Sequence, residues 1–148
     1  SGGGISALYD RPAYQSVLNT SVYGKRSYPD VAFNASPKSG QPTWVHYNPN
    51  SSDGSAANAS YLVIGGTSIA APQWAGFLAL VNEARGAGRT ISALNPLLYG
   101  ATPANQAKYL NDITSGNNGA FKAAAGWDAV TGYGSMKAAD LHSYLMSL

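Results

Sequence analysis

Apolar positions are spread unevenly along the chain, and the densest run, Tyr61 to Val81, reads as a short strand, a turn and a helix. Leu62-Val63-Ile64 is β-branched-rich and predicts a buried strand. Gly65-Gly66 lets the backbone turn, and Thr67 or Ser68 can cap the following helix. Pro72 is expected in the first turn, where its missing N–H costs little. Trp74, Phe77, Leu78 and Val81 continue apolar around the cylinder and predict a core helix, stopped by Gly86 or Gly88. Elsewhere the pattern predicts an opening helix from about Pro12 to Leu18, an extended strand after Arg26, and a strand pair around Trp44-Val45-His46-Tyr47. A short helix starts at Asn95-Pro96. Leu141, Tyr144, Leu145 and Leu148 fall at helical spacing over the last segment, Lys137 to Leu148. His46 reads as a partly exposed strand residue and His142 as a surface one.

Composition narrows the partners. A length of 148 residues supports one unit with a useful core. The formal charge is +2 with no basic run, so nucleic acid is not an expected partner. Nine Lys/Arg and two His mean that full protonation takes the side-chain charge only to +11, so acid loads the chain moderately. Without cysteine there is no disulfide framework and no thiolate metal site. No apolar run is long enough to span a membrane. Asn19, Asn34, Asn50 and Asn58 each begin a glycosylation acceptor pattern, the second followed by Pro37. With no initiator Met and no signal peptide ahead of Ser1, these features predict a mature piece of a secreted or vacuolar/lysosomal glycoprotein precursor.

Two places carry candidate chemistry. Ser68 follows two glycines at a helix start, where unused backbone N–H groups and the positive end of the helix dipole favour an oxyanion; the bland alternative is a plain N-cap. Asp112 and Asp128 lie in two polar, glycine-flanked segments, Asn111 to Gly119 and Ala124 to Ser135. Such carboxylates supply the hard oxygens that Ca²⁺ takes, although spacing alone, with no EF-hand pattern and no bidentate Glu, favours two capping aspartates in loops. Asp30, after Pro29, reads as a structural turn or cap residue.

The wording of these segments resembles the sedolisin family of serine-carboxyl peptidases. Gly65-Gly66-Thr67-Ser68-Ile69-Ala70-Ala71-Pro72 is similar to the GTSxAxP nucleophile segment that subtilisins share, and the Gly-Gly pair and Trp74-Ala75-Gly76 favour sedolisins. Ser1-Gly-Gly-Gly-Ile-Ser with Pro12-Ala-Tyr-Gln15, Arg26 to Pro37, and Asn95-Pro-Leu-Leu-Tyr99 resemble further family segments. Asn111-Asp-Ile-Thr and Gly126-Trp-Asp-Ala-Val-Thr-Gly-Tyr-Gly-Ser135 are similar to the family's calcium site. The resemblance implies an α/β fold, a subtilisin-like, largely parallel sheet with flanking helices, of which residues 1–148 are the C-terminal part of one catalytic domain.

It also implies a nucleophile at Ser68 and one structural Ca²⁺ held by the Asp112 side chain, the Ile113, Ala124 and Gly126 carbonyls and the Asp128 side chain. The family usually has Gly where Ala124 stands, so that carbonyl ligand requires a φ that suits an L-residue. In sedolisins a Glu acts as base, an Asp orients it and a second Asp joins the oxyanion site, and all three precede the matching region. A separate companion chain from the same precursor is therefore expected to carry them. The expected function is a serine-carboxyl endopeptidase subunit that hydrolyses peptide bonds at acidic pH. The alternative is a non-catalytic secreted, calcium-stabilised binding or structural module.

Overall fold

A computed structural model describes residues 2–18, 24–46 and 59–148. The acceptor asparagines Asn19, Asn50 and Asn58, Ser1 and the His46 side chain lie outside that description. Asn34 is described: its side chain closes a local turn, accepting from Ser36 N at 3.2 Å and from Ser39 Oγ at 3.1 Å.

The elements in order are β1 (Gly4–Asp10), a 3₁₀ turn (Ala13–Val17), β2 (Lys25–Tyr28), β3 (Gln41–His46) and β4 (Ala59–Ile64). There follow α1 (Thr67–Arg85), α2 (Asn95–Gly100), α3 (Pro103–Tyr109), β5 (Leu110–Asn111), β6 (Ser135–Met136) and α4 (Ala138–Met146). Helix α1 is the long element because Ala, Leu, Gln and Glu fill it. It stops where Gly86 takes φ +78° and donates back to the Asn82 and Glu83 carbonyls.

The expected parallel sheet is not found among the described residues. Strands β1 and β2, β3 and β4, and β5 and β6 form three separate two-stranded antiparallel pairs. Consecutive strands joined by short or looping connections pair antiparallel, whereas parallel neighbours need a long crossover between them. Strand β4 is not buried either: it pairs with β3 in the register Trp44↔Tyr61 and leaves Tyr61, Leu62 and Val63 exposed. α3 was not read from the sequence; Thr102 caps it by accepting from Asn105 N at 3.3 Å.

The core lies on one side of α1. Val81, Leu141 and Leu145 are fully buried, and Trp74, Leu98, Tyr99, Tyr109, Leu110, Tyr133 and Met136 close around them. Tyr109 stacks on Tyr144 at 4.4 Å between centroids, and the Arg85 guanidinium donates to the Leu145 carbonyl, tying α1 to the end of α4. His142 is half-buried on α4 rather than on the open surface.

A buried polar cluster sits beside this core. Gln15 has no exposed surface; its amide donates to Ser27 O at 2.6 Å and to Tyr99 Oη at 2.8 Å, and accepts from Ser27 N at 2.9 Å. Asp30 accepts from the Arg26 guanidinium, from Tyr99 Oη at 2.8 Å and from Asn95 Nδ2 at 3.1 Å. Asp30 is thus structural, as expected. Burial, and next the Asp30 hydrogen bond, push the Tyr99 hydroxyl well above the usual phenol range.

Two outcomes follow. Asp30→Ala leaves Arg26 without its counter-charge and is expected to cost about 3–5 kcal/mol in urea denaturation. Because the folded-state pKa of Tyr99 is raised, its share of stability is intact below the unfolded phenol value of about 10 and is lost as pH climbs above it. The alkaline limb of a stability–pH curve should flatten in Tyr99→Phe.

Candidate active site and calcium loop

Backbone constraints place Ser68. A side chain at Gly65 would run into the Pro37 backbone, so only glycine fits there. Gly66 takes φ +108°, a region closed to most L-residues, and its N–H donates to Ala35 O at 2.6 Å. Gly66 is the cap of α1, without a side-chain bond, so Thr67 and Ser68 are the first two helical residues rather than its cap. The ladder begins with Ile69 N and Ala70 N donating to Gly66 O at 3.0 and 3.3 Å. The N–H groups of Thr67 and Ser68 lie ahead of it, the donors that every helix start leaves over. Pro72 stands in the second turn, not the first. Having no N–H, it leaves the Ser68 carbonyl, four residues back, without its helical donor.

Ser68 is exposed. Among the described residues no carboxylate or imidazole is hydrogen-bonded to its hydroxyl. The serine thus has a helix terminus beneath it and, among the described residues, no base bonded to it. An apolar cavity of about 480 Å³, lined by Val31, Phe33, Thr67, Ala70, Trp74 and Thr131 among others, opens on the flank of the same helix turn.

Ile113 lines that cavity, and beside it the two segments expected to bind calcium meet. Asp112 Oδ2 accepts from Gly126 N at 2.8 Å. Asp128, only 6% exposed, accepts from Ala124 N at 3.1 Å and from Val130 N and Thr131 N at 2.8 Å each. Thr131 Oγ1 lies 3.1 and 3.2 Å from the two Asp128 oxygens and 3.4 Å from the Ile113 carbonyl. One hydroxyl proton is therefore shared among three oxygens of two residues, an acceptor-rich point. The donor set is carboxylate and carbonyl oxygen. Among the described residues no group of three His, Cys, Asp or Glu exists, so a nitrogen- or thiolate-preferring metal has no match here.

The residues present fit a hard cation such as Ca²⁺. Ala124 raises no obstacle, because no non-glycine residue among those described has positive φ. Gly126, at φ +80°, does need to be glycine. Thr131 was not singled out from the sequence; a hydroxyl three residues after an aspartate, as in Asp128-Ala-Val-Thr131, was the available signal.

The comparisons with known proteins bear on the whole of this arrangement. No family model matches the chain. Xanthomonalisin of Xanthomonas sp. (strain T-22) is 36% identical over 147 residues, 97% of this chain, and kumamolisin of Bacillus sp. (strain MN-32) is 34% identical over 146 residues, 90% of this chain. Pseudomonas sedolisin, a serine-carboxyl proteinase solved with two molecules of pseudo-iodotyrostatin, superposes with a TM-score of 0.77 at 30% identity over 99% of this chain. The chain belongs to the sedolisin family.

It spans only part of its relatives: 16% of xanthomonalisin, 23% of kumamolisin and 36% of the solved sedolisin chain. The sedolisin match supplies the subtilisin-like framework in which the antiparallel pairs and α1 sit, and this chain is a partial copy of it. Tripeptidyl-peptidase 1 of Homo sapiens is a further relative, 31% identical over 157 residues.

The loop that carries Asp128 and Thr131 yields a stability test independent of any metal. Removing the Thr131 hydroxyl leaves Asp128 with one donor fewer in a buried setting, so Thr131→Val should destabilise by roughly 1–3 kcal/mol. Thr131→Ser should restore most of that loss. Paired urea titrations in excess chelator check it.

Proposed function

We propose that this chain is the nucleophile-bearing part of an acidic serine-carboxyl peptidase, with Ser68 attacking the scissile carbonyl of a peptide or protein substrate. The observation that supports it most is the exposed Ser68 at a helix start built by Gly65 and Gly66, in a chain of the sedolisin family. The N–H groups that lead α1 are placed to stabilise the negative oxygen of a tetrahedral intermediate. The base is a Glu, oriented by an Asp, from a companion chain of the same precursor, together with the Asp that completes the oxyanion site. The Ser68 proton passes to that Glu, an acyl-enzyme forms as the amine leaves, and water releases the acid.

The Asp112 and Asp128 side chains and the Ile113, Ala124 and Gly126 carbonyls would hold one Ca²⁺. The ion would supply positive charge that lets these oxygens pack together. Binding to the folded form alone adds stability, about 2.7 kcal/mol at a hundredfold excess over Kd. The compartment inferred is a secreted or vacuolar/lysosomal one, where acid pH meets a carboxylate base.

The competing reading is a non-catalytic, calcium-stabilised module, favoured by the lack of any base bonded to Ser68 among the described residues. Turnover by the assembled protein decides between them. Ser68→Ala should leave folding intact and cut kcat by several orders of magnitude. The wild-type rate should peak below neutrality, since a carboxylate of ordinary pKa about 4.3 accepts protons there. Full activity in Ser68→Ala, or a rate rising through pH 6–8 to an alkaline plateau, would refute the assignment.

For the metal, chelation should lower Tm, and acid should release the ion as its carboxylates protonate. Asp128→Asn should lose metal content by elemental analysis. Unchanged metal content and Tm in that variant would remove the site.

A further inference from the structure

The turn that leads to Ser68 is gripped by a second turn earlier in the chain. Ile64, Gly65 and Gly66 run into α1, and each of the three meets the backbone between Ala35 and Gly40. Gly66 N donates to Ala35 O at 2.6 Å. A side chain at Gly65 would strike the backbone of Ser36 and Pro37, and one at Gly40 would strike the Ile64 carbonyl. With glycine required on both sides of the contact, the two backbones lock together, and the place of Ser68 follows the shape of residues 35–40.

That shape is set by Asn34. Its Oδ1 accepts from Ser36 N at 3.2 Å and from Ser39 Oγ at 3.1 Å, and its Nδ2 donates to the Ser39 carbonyl. Two further bonds, Ser39 N to Ser36 O and Lys38 N to Ser36 Oγ at 3.2 Å each, complete the turn. Asparagine suits this position because its short amide reaches the backbone two residues on. Asn34 is exposed, so its bonds shape this turn without adding to the apolar core.

We propose that Asn34 is a positioning residue for the nucleophile. Its side chain fixes the turn at residues 34–39, and through Ala35 O and the Pro37 backbone that turn fixes Gly65-Gly66 and hence the direction of the Ser68 hydroxyl. The proposal rests on the peptidase reading above. A displacement of about 1 Å at a reacting atom costs on the order of a hundredfold in rate. A shift too small to unfold the chain is therefore read in kcat. The competing account is that Asn34 matters only as the acceptor of a sugar in the pattern Asn34-Ala35-Ser36.

The test uses the assembled protein produced from its full precursor, with each variant assayed where circular dichroism shows it fully folded. Asn34→Ala and Asn34→Gln should each lower kcat about tenfold with KM held within about twofold, Gln because its amide stands one methylene too far out. Asn34→Asp keeps the acceptor for Ser36 N and Ser39 Oγ, and should restore kcat to within about threefold of wild type. Ser36→Ala removes the glycosylation pattern but not the Ser36 N–H, and should likewise stay within about threefold.

The role is overturned if Asn34→Ala and Asn34→Gln lower kcat by less than about threefold, or if KM rises as far as kcat falls. It is equally overturned if Asn34→Asp falls with them, which leaves the turn without a part in the effect, or if Ser36→Ala does, which transfers the effect to Ser36 or a sugar. If only one of Asn34→Ala and Asn34→Gln folds, that one decides. If neither folds, Asn34 serves folding alone and the positioning role is gone. Ser68→Ala keeps the two readings apart: retained turnover in it removes the peptidase assignment, whereas an inactive Ser68→Ala beside an unchanged Asn34→Ala removes the Asn34 role alone.

Discussion

The backbone from Pro29 to Ala32 is the constraint on which the rest of the structure depends. Its polar groups are claimed from several directions: Trp127 Nε1 donates to Pro29 O at 3.0 Å, Tyr133 N to Asp30 O at 2.9 Å, and Trp74 Nε1 to Ala32 O at 3.0 Å, while Ala32 N donates to Gly134 O at 2.9 Å. One short extended segment thereby joins helix α1, which carries Ser68, to the loop that carries Asp128. The Asp30 side chain adds Arg26, Tyr99 and Asn95 to the same point. Buried polar groups are costly unless each finds a partner, and among the described residues none of the buried side-chain atoms lacks one.

That segment also explains the shape of the site. Residues between Pro29 and Ala35 form one wall of the apolar cavity, α1 forms another, and Ile113, Val130 and Thr131 form the third. Gly134 is glycine because a side chain there would strike the Asn111 carbonyl, which sets the two loop segments against each other. The Asp112 and Asp128 segments are therefore held against each other by backbone packing.

Local signals were the legible part of the sequence. The stop of α1, a helical turn near Tyr14, α4 and the meeting of the Asp112 and Asp128 segments all rest on residues near one another or on glycines with a fixed backbone demand. Strand partners were less legible, because pairing direction depends on which strands are present. The run Leu62-Val63-Ile64 has the composition of a strand covered on both faces, yet in this chain β4 is an exposed edge. Composition records the environment of a whole domain, and the part described here contains only some of it. Pro72 falls one turn later in α1 than the sequence implies, because the positive φ of Gly66 moves the cap ahead of Thr67 and Ser68. Thr131 went unnoticed because its role depends on Ile113, which is distant in sequence and contributes only a carbonyl.

The three tryptophans fall in three different settings. Trp44 is 56% exposed on β3 against Tyr61, Trp74 is 8% exposed on the core side of α1, and Trp127 is half-buried beside Asp128 with its indole N–H on Pro29. Indole emission moves to the red as water reaches the ring, so the intrinsic fluorescence of this chain is a sum of three local reporters. Loosening of the loop, opening of the helix packing and covering of the hairpin would each shift a different part of one spectrum.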